Sequence, residues 1–155
     1  MKIRVYQSDD CKEIIELFYN TVHSINVKDY TDAQLDVWAT KTIDRIAWDK
    51  SLSEHYTVVT EITGVIVGFG DIDNTGYLDR LFIHKDYQGK GIATAITIEL
   101  EAYGFKKNLN LILTHASITA KPFFEKCGYH VLKKQVVERS GQRLTNFVMQ
   151  KQLVK

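Results

Sequence analysis

Proline is almost missing from this chain, with one residue in 155, and cysteine is scarce, with two. A single proline excludes a proline-rich or extended tract. Cys11 and Cys127 lack CxxC spacing, so neither a disulfide framework nor a zinc knuckle is expected, and a reduced chain is the simplest reading. Excess charge is missing too: 20 Lys+Arg against 19 Asp+Glu give a net +1. That balance argues against a protein that follows the phosphate backbone of a nucleic acid, which usually carries a basic surplus. No stretch approaches the ~18 apolar residues of a membrane span, and no apolar run follows a basic start. A cytoplasmic protein with no membrane partner is therefore expected. What remains is ordinary globular material, 45% hydrophobic and 25% charged, long enough for one continuous core.

Hydrophobic spacing supplies the elements. Ile3 to Val5 reads as a short strand, and Ser8-Asp9-Asp10 suits a helix start. Ile14, Phe18, Val22 and Ile25 recur at helical spacing, and a second helix beginning at Thr31-Asp32 carries Leu35 and Trp38. Residues 56–62 and 65–72 are β-branched runs joined at Thr63-Gly64, the signature of a tight hairpin. A turn at Asp73-Asn74-Thr75-Gly76 leads into a third strand, Tyr77 to Ile83. A helix with Ile92, Ile96, Leu100 and Tyr103 follows, then a strand over Leu109–Leu113 and a helix with Ala120, Phe123, Phe124 and Cys127. Val131–Val137 and Thr145–Leu153 close the chain as a hairpin around Ser140-Gly141. The order β, α, α, β, β, β, α, β, α, β, β, without repeat or linker, predicts one mixed α/β (α+β) domain over residues 1–155.

Between the third strand and its helix lies Gln88-Gly89-Lys90-Gly91-Ile92-Ala93. A strand running through glycines into a helix presents unpaired backbone N–H groups at a partly positive helix terminus, a good seat for phosphate. Two nucleotide loops fail against it. GxxxxGK[ST] fails because Ile92 follows Gly91, and GxGxxG fails because Thr94 holds the third glycine position. A nucleotide-binding protein of either class is the weaker alternative.

Gln88-x-x-Gly91-x-Ala93 resembles the Q/R-x-x-G-x-G/A motif of the GNAT superfamily of acetyl-CoA-dependent N-acetyltransferases. The likeness extends to Leu78–Ala93 as that family's central strand and pyrophosphate loop, and to Ser117–Tyr129 (SITAKPFFEKCGY) as its N-x-x-A-x-x-F-Y-E-K-x-G-F segment. It implies a central, mostly antiparallel sheet with a splayed parallel strand pair that receives acetyl-CoA as co-substrate, with no metal. It also implies roles for particular residues. Backbone amides of Gln88, Gly89, Lys90, Gly91, Ile92 and Ala93 cradle the pyrophosphate, with Lys90 and Lys126 adding charge. Main-chain groups of Leu81, Phe82 and Ile83 pair with the pantetheine arm, and the Ser117 hydroxyl bonds the same arm or caps the next helix. Phe124 replaces the tyrosine that commonly protonates the leaving thiolate, so it reads as packing and the acid is unassigned.

The reaction so implied is direct transfer of acetyl to a primary amine in a ternary complex. A protonated amine must lose a proton before attacking the thioester. Strand alternation groups Tyr77, Asp79, Leu81 and Ile83 on one face, and Leu78, Arg80 and Phe82 on the other. Family positions matching Tyr77 and Asp79 often supply the base. Asp79 is the first choice, Tyr77 its polar support, and His115 a second candidate; a salt bridge to Arg80 and a buried histidine are the plain alternatives. His84 reads as structural, and His23, Tyr30 and Trp38 as an aromatic wall for the acceptor or as core. The acceptor is a small-molecule or peptide amine, and monomer and homodimer both stay open. A GNAT-fold module that binds CoA without transfer is the main alternative, carried by Phe124.

Overall fold

The structure is a computed structural model describing residues 1–154. Its strands are β1 (Lys2–Val5), β2 (Tyr56–Ile62), β3 (Val65–Ile72), β4 (Tyr77–Ile83), β5 (Leu111–Ser117), β6 (His130–Arg139) and β7 (Gln142–Gln152). The helices are α1 (Cys11–Ile25), α2 (Asp32–Trp38), α3 (Arg45–Glu54), α4 (Ile92–Lys106) and α5 (Lys121–Lys126). All seven strands join one sheet in the order β1-β2-β3-β4-β5-β7-β6. Every pairing is antiparallel except β4 with β5. That parallel pair needs a crossover, which α4 provides.

Each face of the sheet buries its own core. One holds Ile14 and Phe18 of α1, Leu35 of α2 and Leu52 of α3 against Phe69 of β3. The other holds Ile92, Ile96 and Leu100 of α4 and Phe124 of α5 against Ile72, Leu78 and Ile112. Fully burying such a side chain contributes about 1.5–3 kcal/mol, so the two layers hold the sheet from both sides.

Helix α4 sits unusually close to the sheet because β3 offers it two glycines. A Cβ on Gly68 would stand 2.9 Å from Ile83 Cδ1 and 3.0 Å from Ile92 Cγ2. One on Gly70 would stand 2.8 Å from Ile96 Cγ2 and 3.1 Å from the Arg80 carbonyl oxygen. Backbone on one side and a buried isoleucine on the other leave no easy relaxation. Gly70→Ala is expected to destabilise the fold by about 1–3 kcal/mol, measured as a lower urea midpoint at an unchanged slope.

Four differences from the sequence reading stand out. Helix α3 was not anticipated: only Leu52 of its residues is fully buried and Ile46 is 84% exposed, so it carries almost no apolar stripe. Its start was written in the sequence, since the Asp44 carboxylate accepts the Ala47 N–H at 3.1 Å. Strand β5 lies later than Leu109–Leu113, so His115 and Ser117 fall inside it. Helix α5 ends at Lys126, leaving Cys127 as its cap.

The fourth difference concerns β4. Asp71 pairs with Arg80 and Ile72 with Leu78, so Asp79 is an extra residue in a β-bulge. The expected alternation breaks there. Leu78 joins Leu81 and Ile83 on the α4 face, while Arg80 and Phe82 face α1 and α3. Asp79 is brought to the same side as Arg80, not opposite it.

Candidate active site

Strands β4 and β5 pair at only two positions, Tyr77 with Leu113 and Leu78 with Thr114. At the second pair the buried Thr114 hydroxyl donates to the Leu78 carbonyl at 2.9 Å. The strands then diverge, although β4 runs on to Ile83 and β5 to Ser117. The gap opens into a cavity of about 620 Å³ whose walls include Leu81, Phe82, His115, Ser117 and Phe124.

The main-chain direction along β4 follows from its pairing. His84 N–H donates to the Val67 carbonyl at 2.8 Å, so by alternation Phe82 also turns its peptide groups to β3. Leu81 and Ile83 turn theirs to the gap. The Ile83 carbonyl is occupied there by the Thr21 hydroxyl (3.0 Å) and the Gln88 amide (2.7 Å). Of the three strand residues expected along the pantetheine arm, Phe82 therefore meets the cavity with its ring, not its backbone.

Below the gap the glycine loop enters α4. Gly89 has φ +71° and Gly91, which caps α4, has φ +80°. Both values lie where side chains are disfavoured, and the space around both positions is open. The glycines therefore shape the loop and leave the first-turn amides of α4, around Ile92 and Ala93, uncovered. Gln88 ties the loop to the end of β4 through Ile83. Lys90 and Lys126 are exposed. The His84 ring accepts the Asp86 N–H at 3.0 Å, capping the short turn between β4 and the loop.

On the opposite side of the sheet the cavity is roofed by aromatic side chains. Phe18, Tyr30, Trp38 and Trp48 line it. Trp38 meets Tyr30 edge-on at 5.4 Å, and Phe18 meets Phe82 at 4.9 Å. The Tyr30 hydroxyl is used structurally, donating to the Thr145 carbonyl (2.6 Å) and accepting from Ile118 N–H (2.9 Å). His23 is not brought to this wall. Its Nε2 lies 2.8 Å from the Ala39 carbonyl and its ring packs at a tilt against Tyr19, so it fixes the end of α2. Trp48 takes the place on the wall that the sequence reading had given to His23.

Asp79 and Arg80 of the cavity lining belong to a chain of charges that runs into the protein behind it. Asp71, fully buried, is ion-paired to Arg80, accepts the Arg80 N–H at 2.8 Å and lies 2.8 Å from His55 Nδ1. Arg80 also bonds the Ser51 hydroxyl (2.9 Å) and lies over the Trp48 ring at 4.8 Å. The same Nη2 that bonds Ser51 is 3.8 Å from Asp79. The ligating atoms of His55, Asp71 and Asp79 lie within 4.8 Å of one another, and the Arg80 guanidinium supplies positive charge beside both carboxylates. The Asp71 hydrogen bond raises the His55 pKa.

Asp79 keeps 32% of its side-chain surface open, toward the cavity, with protein packed around the rest. Desolvation, and then the nearby Asp71 charge, raise its pKa above the ordinary carboxylate range. Burial, followed by Asp79, pushes Tyr77 up to about 12, so its hydroxyl stays protonated at neutral pH. The Tyr77 ring meets His115 edge-on at 5.2 Å. Tyr77, Asp79 and His115 thus share one wall. Ser117 Oγ accepts the Ala120 N–H at 3.0 Å, capping the entry to α5 while lining the cavity. Phe124 is buried between Phe123 and Tyr129 and has no proton to offer.

Residues 26–152 match the family model described as acetyltransferase (GNAT) domain. The chain is 34% identical over 150 residues to a protein of Escherichia coli K12 named uncharacterized N-acetyltransferase YafP, covering 96% of this chain and 94% of the relative. Among solved structures, a GCN5-related N-acetyltransferase from Rhodopseudomonas palustris superposes with a TM-score of 0.94 at 28% identity, over 98% of this chain and 95% of that one. The fold is also shared by yncA of Salmonella typhimurium, solved with its cofactor acetyl-CoA, at a TM-score of 0.74 and 20% identity over 100% and 95% of the two chains. With the domain model matching residues 26–152 and a relative 34% identical over 150 residues, the chain belongs to the GNAT acetyltransferase family.

Proposed function

We propose that this protein transfers the acetyl group of acetyl-CoA to a primary amine by direct attack within the β4–β5 gap. The observation carrying the reading is the bulge at Asp79, which places a carboxylate of raised proton affinity on the wall where β4 and β5 part. The α4 amides and Gly91 would hold the pyrophosphate, which matches their open, partly positive surroundings. Leu81 would pair with the pantetheine arm as a neighbouring strand does, and its N–H, turned toward the gap, would polarise the thioester carbonyl.

Asp79 then accepts the proton of the incoming amine, directly or through one water. As the C–N bond forms and the C–S bond breaks, the electron pair leaves with sulfur. A thiol pKa near ~8.5 lets the thiolate depart without a protein acid, which suits Phe124 at the position where a tyrosine is common in the family. Phe124 instead fills space beneath the arm.

The test is thiol release from acetyl-CoA on a panel of primary amines, with acetylated product identified by mass. Turnover with at least one amine is expected. Folded protein that binds acetyl-CoA and turns over none of them would leave a CoA-binding module.

A further inference from the structure

Two arginines line the cavity, Arg80 and Arg139. Arg80 is committed to Asp71, Ser51 and Trp48. Arg139 is not. It is the last residue of β6, exposed, paired in register with Gln142, and no carboxylate of the described residues bonds it. It stands on the same face as Val137 and Leu144, which turn toward the aromatic wall. The Tyr77 hydroxyl lies within electrostatic reach of both Arg139 and Asp79. The cavity lining therefore combines the Asp79 carboxylate, an exposed arginine that no carboxylate of the described residues bonds, and the rings of Phe18, Trp38 and Trp48.

We infer that the acceptor is an amino acid with an apolar or aromatic side chain, its amine over Asp79 and its carboxylate held by Arg139. The inference rests on the transferase reading above and deepens it. A neutral roof between two opposite charges suits a molecule of that shape. A guanidinium meets a carboxylate through two parallel N–H donors, which gives orientation as well as attraction. A polyamine would place a second cation against Arg139. A plain alkyl or aryl amine would leave that guanidinium unused.

The experiment compares kcat/KM for phenylalanine, phenylalanine amide and phenylethylamine, with leucine and spermidine alongside. Phenylalanine is expected to exceed phenylethylamine by about 10–100-fold, the size of one charge-assisted contact. Arg139→Gln should collapse that ratio toward one, and Arg139→Lys should restore part of it. Arg139→Glu should turn the preference toward spermidine, and acetyl-CoA affinity measured on the same variants reports that the donor side is intact. Equal rates on the acid and the amine, or an unchanged ratio in Arg139→Gln, would overturn the inference while leaving the transferase reading in place. No turnover of any amine by a protein that binds acetyl-CoA would remove the transferase reading itself, and this inference with it.

Discussion

Replacing Asp79 by asparagine should lower kcat/KM for the amine by about 10²–10⁴-fold, the usual contribution of a positioned base. The substitution keeps the side chain's shape while removing its charge and its capacity to take a proton, and the site lies apart from the glycine loop, so acetyl-CoA affinity should stay near that of the parent. The pH dependence carries the sharper signature. Asp79 works when ionised, and desolvation with the Asp71 charge raises its pKa. The acid limb of kcat/KM should therefore lie above the ordinary carboxylate range and vanish in Asp79→Asn. If the variant keeps the parental rate and limb, Asp79 is a surface ion-pair partner of Arg80 and the base lies elsewhere, His115 being the neighbour to try next.

The second large effect lies one residue deeper. Asp71 has no solvent exposure and holds both His55 and Arg80. Asp71→Ala leaves a guanidinium with its main counter-ion gone inside the protein. Breaking such a buried pair costs about 3–5 kcal/mol, which for a chain of this size is a fall in Tm of roughly 6–20 °C. Asp71→Asn, which keeps the volume and an acceptor for the Arg80 N–H, should lose less. It also removes a like charge from beside Asp79 and releases Arg80, two changes that both lower the Asp79 pKa. The acid limb should then move down, linking the fold's charge chain to the chemistry.

His55 gives that chain its own pH dependence. Its pKa is raised in the folded state by Asp71. Its stabilising contribution is therefore complete below the unfolded value near ~6.5 and is lost as pH rises through the folded one. Urea midpoints of the parent should fall across that window relative to those of His55→Gln, which should be flatter. Parallel curves would mean that His55 does not change its charge on Asp71.

The glycine loop, β4 and the Ser117–Tyr129 segment were legible because they are local: each is a short run of residues whose pattern can be read without its neighbours in space. The aromatic wall was only half legible. Trp38 sits on a helix with a clear start at Thr31, whereas Trp48 sits on α3, which buries little and so shows no apolar rhythm. The bulge at Asp79 left no mark in the sequence, because a pattern of period two cannot show an inserted residue until its neighbour's register is known. For the same reason the reading placed Asp79 and Arg80 on opposite faces. Arg139 lies in a strand of mixed polar and apolar residues, and only the packing of β6 against β7 turns it to the cavity. The charge chain joins His55, just past the end of α3, to Asp71 of β3 and Asp79 and Arg80 of β4, a constellation set by tertiary packing.

The most direct measurement is the affinity of ligand-stripped protein for acetyl-CoA, CoA, ATP and NAD by calorimetry, repeated on Gly91→Val. The glycine's φ of +80° is strained for valine, so the loop should lose its shape and its affinity while the surrounding open space keeps the fold intact. Tight binding of acetyl-CoA and CoA over ATP and NAD, weakened at least tenfold in Gly91→Val, is the expected result. A folded protein that binds neither CoA species, or binds them equally well with valine at position 91, would contradict the assignment of the β4–β5 gap and its loop as the acetyl-CoA site.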